Sequence, residues 1–453
     1  MIERIRGLIR PLIIVGIVVL LGFLAFTFLS LDLSKIPIIG SLFGGKRTVE
    51  LTYWGLWEEA DVIQPLISSF EQAYESENPN VDVSVVYEKR SFGSLEQYKE
   101  TLLTRLAQGT GPDIFRIHNS WVADFSSNLS SLPVDVLTEE EYVLRFYPVA
   151  LSSAKAGADI YAIPLEYDGL VLFYNKKFFE GVDVSLTIKT WEDFRREAVR
   201  LTTWEGNDSE RGKILFSGAA FGTGDNVSHS ADILSLLFAQ SGVNPLTELG
   251  TQAASDALTF YTNFSTEDRV WDATLPFSVN AFANEQVAMI VAPSWRALDV
   301  VNLNPQIELA AVAVPQLPGA REGGVHWGTF WMEGVSRASE GTDVAWAFLK
   351  FLTEEEQQRT FYSTASQSRL FGEPYALRSL ASAVEEHDVL GSLLGSAANA
   401  VSGKIVDFSG NDSYADALKQ AVRDVLAGKT ATEALGTAQA TINQLEGVVT
   451  EEE

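Results

Sequence analysis

The chain has 453 residues, of which 46% are hydrophobic and 21% charged, with a formal charge of −27 and no cysteine. That charge argues against nucleic acid or anionic lipid as the main partner, because both are bound by a cationic excess. The lack of cysteine excludes disulfides, thiolate metal sites, a cysteine nucleophile and a diacylglyceryl lipoprotein anchor.

In chain order, Met1 to Arg10 is basic, with Arg4, Arg6 and Arg10 against Glu3. Pro11 to Leu31 then carries no charge. As a helix this run spans about 30 Å, the thickness of a bilayer's hydrocarbon core. The basic flank places the N-terminus in the cytoplasm and the rest of the chain outside. A cleaved signal peptide has a shorter apolar region, about 7–15 residues, ending in small residues. Here Ala25-Phe26-Thr27-Phe28-Leu29-Ser30 offers large ones. The expectation is an uncleaved, single-pass anchor over residues 1–33, followed by a spacer over 34–47 with Pro37, Gly40, Gly44 and Gly45 as breakers. The remaining ~400 residues exceed one ordinary core, so two lobes are expected.

Strand and helix signals alternate beyond Lys46. Val49, Leu51 and Tyr53 have strand period, then Val62, Leu66, Phe70 and Tyr74 have helical spacing. Val81, Val83, Val85 and Tyr87 alternate again; Leu95, Tyr98, Leu102 and Leu106 form a second helical stripe, stopped by Gly109 and Gly111-Pro112. Ile114, Phe115 and Ile117 make a third strand. This βαβαβ order predicts a parallel sheet with helices on both faces. Ligands bind such sheets beyond the carboxyl ends of the strands. Trp57 and Glu58 follow the first strand there; His118, Asn119 and Trp121 follow the third.

Leu170 to Tyr174 reads as a strand. Thr190-Trp191-Glu192-Asp193 opens a helix through Phe194, Ala198 and Leu201 as a capping box. Val287 to Val291 is a buried strand, Trp346, Leu349 and Leu352 lie on a helix ending before Thr353, and Leu418, Val422 and Val425 on one ending near Gly428. There is no internal repeat, and Glu451-Glu452-Glu453 reads as a solvated tail.

Several segments together resemble the family 1 extracellular solute-binding proteins of ABC importers, the maltose-binding-protein-like family. Gly111-Pro112-Asp113-Ile114-Phe115 matches its Gly-x-Pro-Asp strand start. Tyr161-Ala162-Ile163-Pro164 with Leu172-Phe173-Tyr174-Asn175-Lys176-Lys177 matches its Pro…Tyr-Asn-Lys signature, the most specific of the set. Thr190 to Phe194 matches the next helix start. Phe282 to Met289 with Pro293-Ser294-Trp295 matches Phe-x-x-Gly-x-x-Ala-Met…Trp, with Asn284 or Glu285 where the glycine belongs. Ala345 to Leu352 and Leu426-Ala427-Gly428-Lys429-Thr430 through Asn443 complete the order. Each motif is weak alone; the ordered set, covering nearly all of 48–450, is strong.

The resemblance implies an α/β, two-lobe periplasmic-binding-protein fold of type II with hinge crossings, preceded here by the N-terminal transmembrane helix. Its lobes would be 48–164 plus 333–383 and 165–332 plus 384–450. A small solute would bind in the cleft and close the lobes for recognition by the transmembrane subunits of an ABC permease.

Each site residue has two readings. Trp295 takes the family's aromatic platform position, since flat rings suit the apolar C–H face of a sugar; otherwise it is a core residue. Tyr414 matches a C-terminal stacking position or packs its helix. Trp57 and Trp121 line the cleft or pack between lobes, and Trp327 and Trp331 face ligand or pack the second crossing. Asp168 aligns with a sugar-binding carboxylate, with Glu166 as a substitute; both otherwise lie in a solvated hinge loop. Glu58 contacts ligand or favours a helix N-terminus, and His118 and Asn119 donate to ligand or cap a turn.

Gly222-Thr223-Gly224-Asp225-Asn226 lacks the spacing of a phosphate loop, and His118, His229, His326 and His387 lack metal-ligand spacing, so no cofactor or metal is expected. There is no Gly-x-Ser-x-Gly elbow. The pairs Glu166/Asp168 and Glu58/Glu59 do not establish a hydrolytic arrangement by adjacency alone. The leading function is capture of a sugar or oligosaccharide for import. Peptides and polyols stay open as solutes. A sensory module presenting its ligand to a receptor is the alternative, and an extracellular glycan-acting enzyme a weaker one.

Overall fold

The computed structural model describes residues 46–206, 212–408 and 413–447. The expected anchor at Pro11–Leu31, most of the spacer and the Glu451–Glu453 tail lie outside the described residues. Among the described residues no helix is long and apolar enough to cross a membrane.

Fourteen strands follow in order: β1 (Arg47–Gly55), β2 (Val81–Lys89), β3 (Ile114–His118), β4 (Lys155–Ala156), β5 (Asp159–Ile160), β6 (Ala162–Ile163), β7 (Leu170–Asn175), β8 (Thr203–Trp204), β9 (Ile214–Ala220), β10 (Val287–Pro293), β11 (Leu309–Ala313), β12 (His326–Trp327), β13 (Trp331–Val335) and β14 (Ala400–Val401). They form two five-stranded sheets, β2-β1-β3-β13-β6 and β11-β7-β10-β9-β8. Two-stranded pairs β12-β14 and β4-β5 complete the set.

The chain divides into two compact units. Residues 46–51 with 68–85 form the smaller. Within it the Arg47 N–H donates to the Asn80 carbonyl at 2.8 Å, and the Val83 and Val85 N–H groups donate to the Glu75 and Glu71 carboxylates at 2.9 and 2.8 Å. Residues 52–67 with 86 onward form the larger, which holds everything discussed below.

In the larger unit β1 runs parallel to β3, with Tyr53 opposite Ile114 and Trp54 opposite Phe115. β13 runs antiparallel to β3, with Trp331 opposite His118 and Glu333 opposite Arg116. β1 and β3 are thus parallel as the βαβαβ order predicts, and β13, which sequence reasoning did not single out, makes the sheet mixed. β13 enters by a long return from the second sheet, so the right-handed crossover rule does not fix its direction. In the second sheet β7 is antiparallel to both β10 and β11, while β9 and β10 are parallel.

The helices start where their caps predict. Thr190 and Asp193 form a reciprocal capping box on Trp191–Leu201, which buries Trp191, Phe194 and Ala198. Thr342–Leu352 ends before Thr353 and Ser413–Leu426 before Gly428, as their stripes indicate. Glu285 has φ 55°, so a non-glycine residue adopts the left-handed turn at the position where the resemblance expects glycine.

Segment 164–169 leads from β6 in the first sheet to β7 in the second, and 328–330 leads back to β13. Gly169 pairs with Gly328, and Glu166 with Tyr375. A Cβ on Gly169 would stand 2.3 Å from the Trp327 carbonyl oxygen, so the two crossing backbones touch only because Gly169 has no side chain.

Candidate functional site

A cavity of about 640 Å³ opens beyond the carboxyl end of β1, lined by Leu56, Trp57, residues 90–96, Tyr98, Lys99, Trp121, Phe408, Ser413, Tyr414 and Leu445. Its wall is aromatic. Trp57 is 43% exposed and stands edge-on to Trp331, with ring centres 4.8 Å apart. Trp331 is edge-on in turn to Trp121 at 5.2 Å and His118 at 5.1 Å. Phe408 packs on His118 at 4.7 Å and Trp121 at 5.4 Å. Perpendicular rings fix one another's orientation, which makes the wall rigid before any ligand arrives. Lys99 lies 5.3 Å from the Trp121 ring centre and Arg116 5.8 Å from that of Trp57. Tyr414 borders the same cavity; its hydroxyl donates to Glu446, and Lys404 lies 5.2 Å from its ring centre.

Trp295 does not line this cavity. It is 39% exposed, so it is not a core residue. The Arg296 guanidinium lies 3.9 Å from its ring centre, and His229 stands edge-on at 5.6 Å. The Arg296 Nε donates to His229 Nε2 at 2.9 Å, which leaves the Nδ1 proton for Asp232 at 3.2 Å. The platform is thus clamped on one face and at one edge.

The polar candidates are mostly engaged by the protein. Asn119 donates to Ser153 and Ser402 at 3.1 and 2.7 Å and accepts from the Phe330 N–H at 3.1 Å. Asp168 accepts from the Gly169 N–H at 2.5 Å, the Ser294 N–H and hydroxyl at 2.8 and 2.9 Å, and the Trp295 N–H at 3.1 Å. All four of its acceptor positions are occupied, so it fastens the start of β7 to the turn carrying Trp295; this replaces the solvated-loop reading. Burial still pushes its carboxyl up to about 7. Trp327 is buried and its indole N–H donates to Asp232 at 3.2 Å. His118 is buried, accepts from the Ser120 N–H at Nδ1 and donates from Nε2 to the Thr329 hydroxyl at 3.1 Å. Burial pushes it down to about 3, so it is a neutral wall residue.

Glu58 and Glu166 lie beneath the aromatic wall. Arg116 on β3 reaches Glu58 at 2.6 Å through Nη1 and Glu333 at 2.8 Å through Nε. The Tyr53 hydroxyl donates to Glu333 at 3.1 Å, and the Tyr87 hydroxyl to the Glu58 carbonyl at 2.8 Å. Glu166 accepts the Trp331 N–H at 3.2 Å, and Glu373 pairs with Arg369. Burial pushes Glu166 up to about 7 and raises Glu58, Glu333 and Glu373.

Sequence reasoning did not single out Arg116, Glu333, Glu373 or Phe408. A signal existed for the first two: each is a lone charge inside an apolar strand, Ile114-Phe115-Arg116-Ile117 and Met332-Glu333-Gly334-Val335, and buried charges must find partners. Nothing local marks Glu373 or Phe408.

Residues 57–359, about two thirds of the chain, match the family described as bacterial extracellular solute-binding protein. A Brucella abortus binding protein is 22% identical over 311 residues, covering 66% of this chain and 70% of its own. Maltotriose-binding protein of Pyrococcus abyssi is 25% identical over 114 residues, 25% of this chain and 23% of its own. A cyclo/maltodextrin-binding protein complexed with maltotetraose superposes with TM-score 0.68 at 17% identity, covering 89% of this chain and 98% of that one. A Thermotoga lettingae ABC-transporter solute-binding protein bound with α-D-tagatose gives 0.64 at 18%, covering 88% and 99%. The solved structures share the α/β, two-lobe binding-protein fold. By the extent of the family match, this chain belongs to the bacterial extracellular solute-binding proteins.

Proposed function

We propose that the chain is a membrane-anchored extracytoplasmic solute-binding protein that captures a sugar or oligosaccharide and delivers it to the transmembrane subunits of an ABC importer. The observation that carries this reading is the aromatic wall of Trp57, Trp121 and Tyr414 around a cavity of about 640 Å³, backed by the rigid Trp331–His118–Phe408 cluster. Flat rings offer apolar faces to pyranose C–H groups, and a pocket of this size suits a small solute. The sugar ligands named for the similar structures support the same class. In this reading Trp57, Trp121, Tyr414 and Trp295 face ligand. Glu58, Asn119, Glu166, Asp168 and Trp327 hold the walls and crossings in place. Lobes 48–164 plus 333–383 and 165–332 plus 384–450 close over the solute.

A thermal-shift screen over maltotriose, maltotetraose, tagatose, cycloalternan, polyols and short peptides tests it. A ligand at 100 times its dissociation constant adds about 2.7 kcal/mol of apparent stability. Small-angle scattering on a hit should show a smaller radius of gyration; an unchanged radius counts against closure. For the anchor, intact-mass analysis of the membrane fraction should give the uncleaved chain. A soluble form starting after residue 25 removes that part of the proposal.

A further inference from the structure

Asp232 is fully buried in the first turn of the helix Ser230–Gln240. Its carboxylate accepts from three separate places: the His229 Nδ1 proton, the Trp327 indole N–H and the Asp407 N–H, each at 3.2 Å. A buried carboxylate is costly unless it is hydrogen-bonded, so these three donors are held to it and, through it, to one another. Two of the three routes end on aromatic surfaces of the site. The first ends on Trp295. Because the Nδ1 proton goes to Asp232, Nε2 of His229 is bare and can accept. It takes the Arg296 Nε–H at 2.9 Å, and that bond lays the guanidinium over the Trp295 ring, 3.9 Å from its centre. His229 itself meets the ring edge-on at 5.6 Å. It does so on a left-handed backbone, φ 62°, which a residue with a side chain adopts at a cost. Arg296 occupies one face of the platform, so a solute has the other.

The second route ends on Phe408. Trp327 pairs with Val401 across β12 and β14. Gly403 lies against its indole, where a Cβ would stand 3.1 Å away. Asp407 closes the same stretch, and Lys419 holds its side chain at 2.8 Å. The next residue is Phe408, which lines the cavity and packs on His118 and Trp121. One carboxylate therefore fastens both ends of 401–407, the stretch that delivers Phe408 to the aromatic wall.

We propose that Asp232 and His229 are positioning residues of the solute site: Asp232 sets the Trp295 platform through His229 and Arg296, and the Phe408 wall through Trp327 and the Asp407 N–H. The consequence for affinity rests on the solute-binding reading; the setting of the two aromatic surfaces does not. The chemistry supplies variants that separate the routes. Asn at 229 tolerates the left-handed backbone and offers Asp232 an amide N–H, but ends short of Arg296. His229→Asn therefore releases the platform alone. Asp232→Ala removes all three acceptor contacts and releases both surfaces. Trp327→Phe drops one tie of the 401–407 stretch and disturbs the wall alone.

Fluorine NMR of the full chain in detergent, with 5-fluorotryptophan at its ten tryptophans, reads both surfaces without ligand. Trp295→Phe and Trp121→Phe assign the two lines that matter; Trp121 reports on Phe408, its neighbour at 5.4 Å. His229→Asn should shift the Trp295 line and leave that of Trp121, and Asp232→Ala should shift both. If Asp232→Ala does not fold, Trp327→Phe should shift the Trp121 line alone. An unmoved Trp295 line in His229→Asn overturns the platform route, and an unmoved Trp121 line in Asp232→Ala or its substitute overturns the wall route. Affinity is read by calorimetric titration of maltotriose. His229→Asn should weaken it about tenfold, part of the roughly thirtyfold expected of Trp295→Ala, and should cost nothing further in the Trp295→Ala background. An equal loss in that background means that His229 acts other than through Trp295 and overturns its role. If no sugar of the panel binds, or Trp295→Ala keeps full affinity, the solute reading or its platform falls, and the fluorine lines still decide whether Asp232 and His229 set the two surfaces.

Discussion

At Trp295 the indole meets the Arg296 guanidinium on one face and the His229 ring at its edge, leaving the remainder to solvent. The proposed reading has this fixed, 39% exposed ring stack on the solute. Trp295→Ala is therefore expected to weaken sugar binding by about 2 kcal/mol or more, the loss seen when stacked anchors are truncated. Its stability cost should stay near 1 kcal/mol, well below the 3–5 kcal/mol or so of a core tryptophan. Calorimetric titration beside a urea melt separates the two, and retained affinity with a large stability loss would return Trp295 to the core. Glu285 has the opposite character. Its φ of 55° is strained for a side chain, and its compensation is a surface ion pair with Lys177 at 2.6 Å. Such strain costs about 1 kcal/mol or more, and an exposed pair returns at most about that. Glu285→Gly is expected to raise stability by about 0.5–1 kcal/mol. A drop in the urea midpoint would show that the Lys177 contact outweighs the turn.

Among the elements, the crossing of 164–169 with 327–330 leaves no room for a side chain at Gly169. Gly169→Ala would put a methyl group 2.3 Å from the Trp327 carbonyl. Backbone must move against backbone, so a cost of about 1–3 kcal/mol is expected, with weakened sugar binding because the same strand start fixes Asp168 to the Trp295 turn. Unchanged melting and affinity would show that the crossing has slack. That contact was not legible in the sequence: Gly169 and Gly328 are ordinary loop glycines until two distant segments are laid together. What was legible had a local cause. Alternation over Val81–Tyr87, the stripe from Leu95 to Leu106 and the Thr190–Asp193 capping box each depend on residues a few positions apart, and each element formed. The strand β13 and its direction depend on a return from the second sheet, and sequence reasoning did not single it out. The site divides in the same way. Trp57 and Trp121 were findable as aromatics at strand ends, whereas Phe408 and Glu373 reach the cluster only through tertiary packing. Asp168 was found, but four donors from Gly169, Ser294 and Trp295 decide its use.

For the whole molecule, buried titratable groups set how stability responds to pH. Burial raises Glu166 and Asp168 to about 7 and lowers His118 to about 3. Glu166 keeps a proton when folded that it loses when unfolded above its ordinary value near 4, whereas the four donors on Asp168 oppose its burial and hold it as the carboxylate. The contribution of Glu166 is complete below that range and is lost as pH rises through about 7. His118 works the other way: it stays neutral when folded, so its contribution is present above about 6.5 and lost as pH falls toward 3. Between about pH 4.5 and 6.5 the buried acids hold extra protons in the native state while His118 lacks one. Where the acids' protons outnumber the histidine's, stability falls as pH rises. Above about 6.5 the histidine no longer opposes the acids, and the decline continues until they have ionised. The formal charge of −27 adds self-repulsion in the same direction, so the wild-type slope alone does not identify the groups. Glu166→Gln does, because it removes the proton retained on Glu166 while changing the formal net charge by a single unit. The urea midpoint of the wild type should fall from pH 5 to pH 7.5, and that of Glu166→Gln should fall distinctly less. A wild-type midpoint that rises over this interval would mean that Glu166 is already ionised at pH 5 in the folded protein, and that burial does not hold its proton.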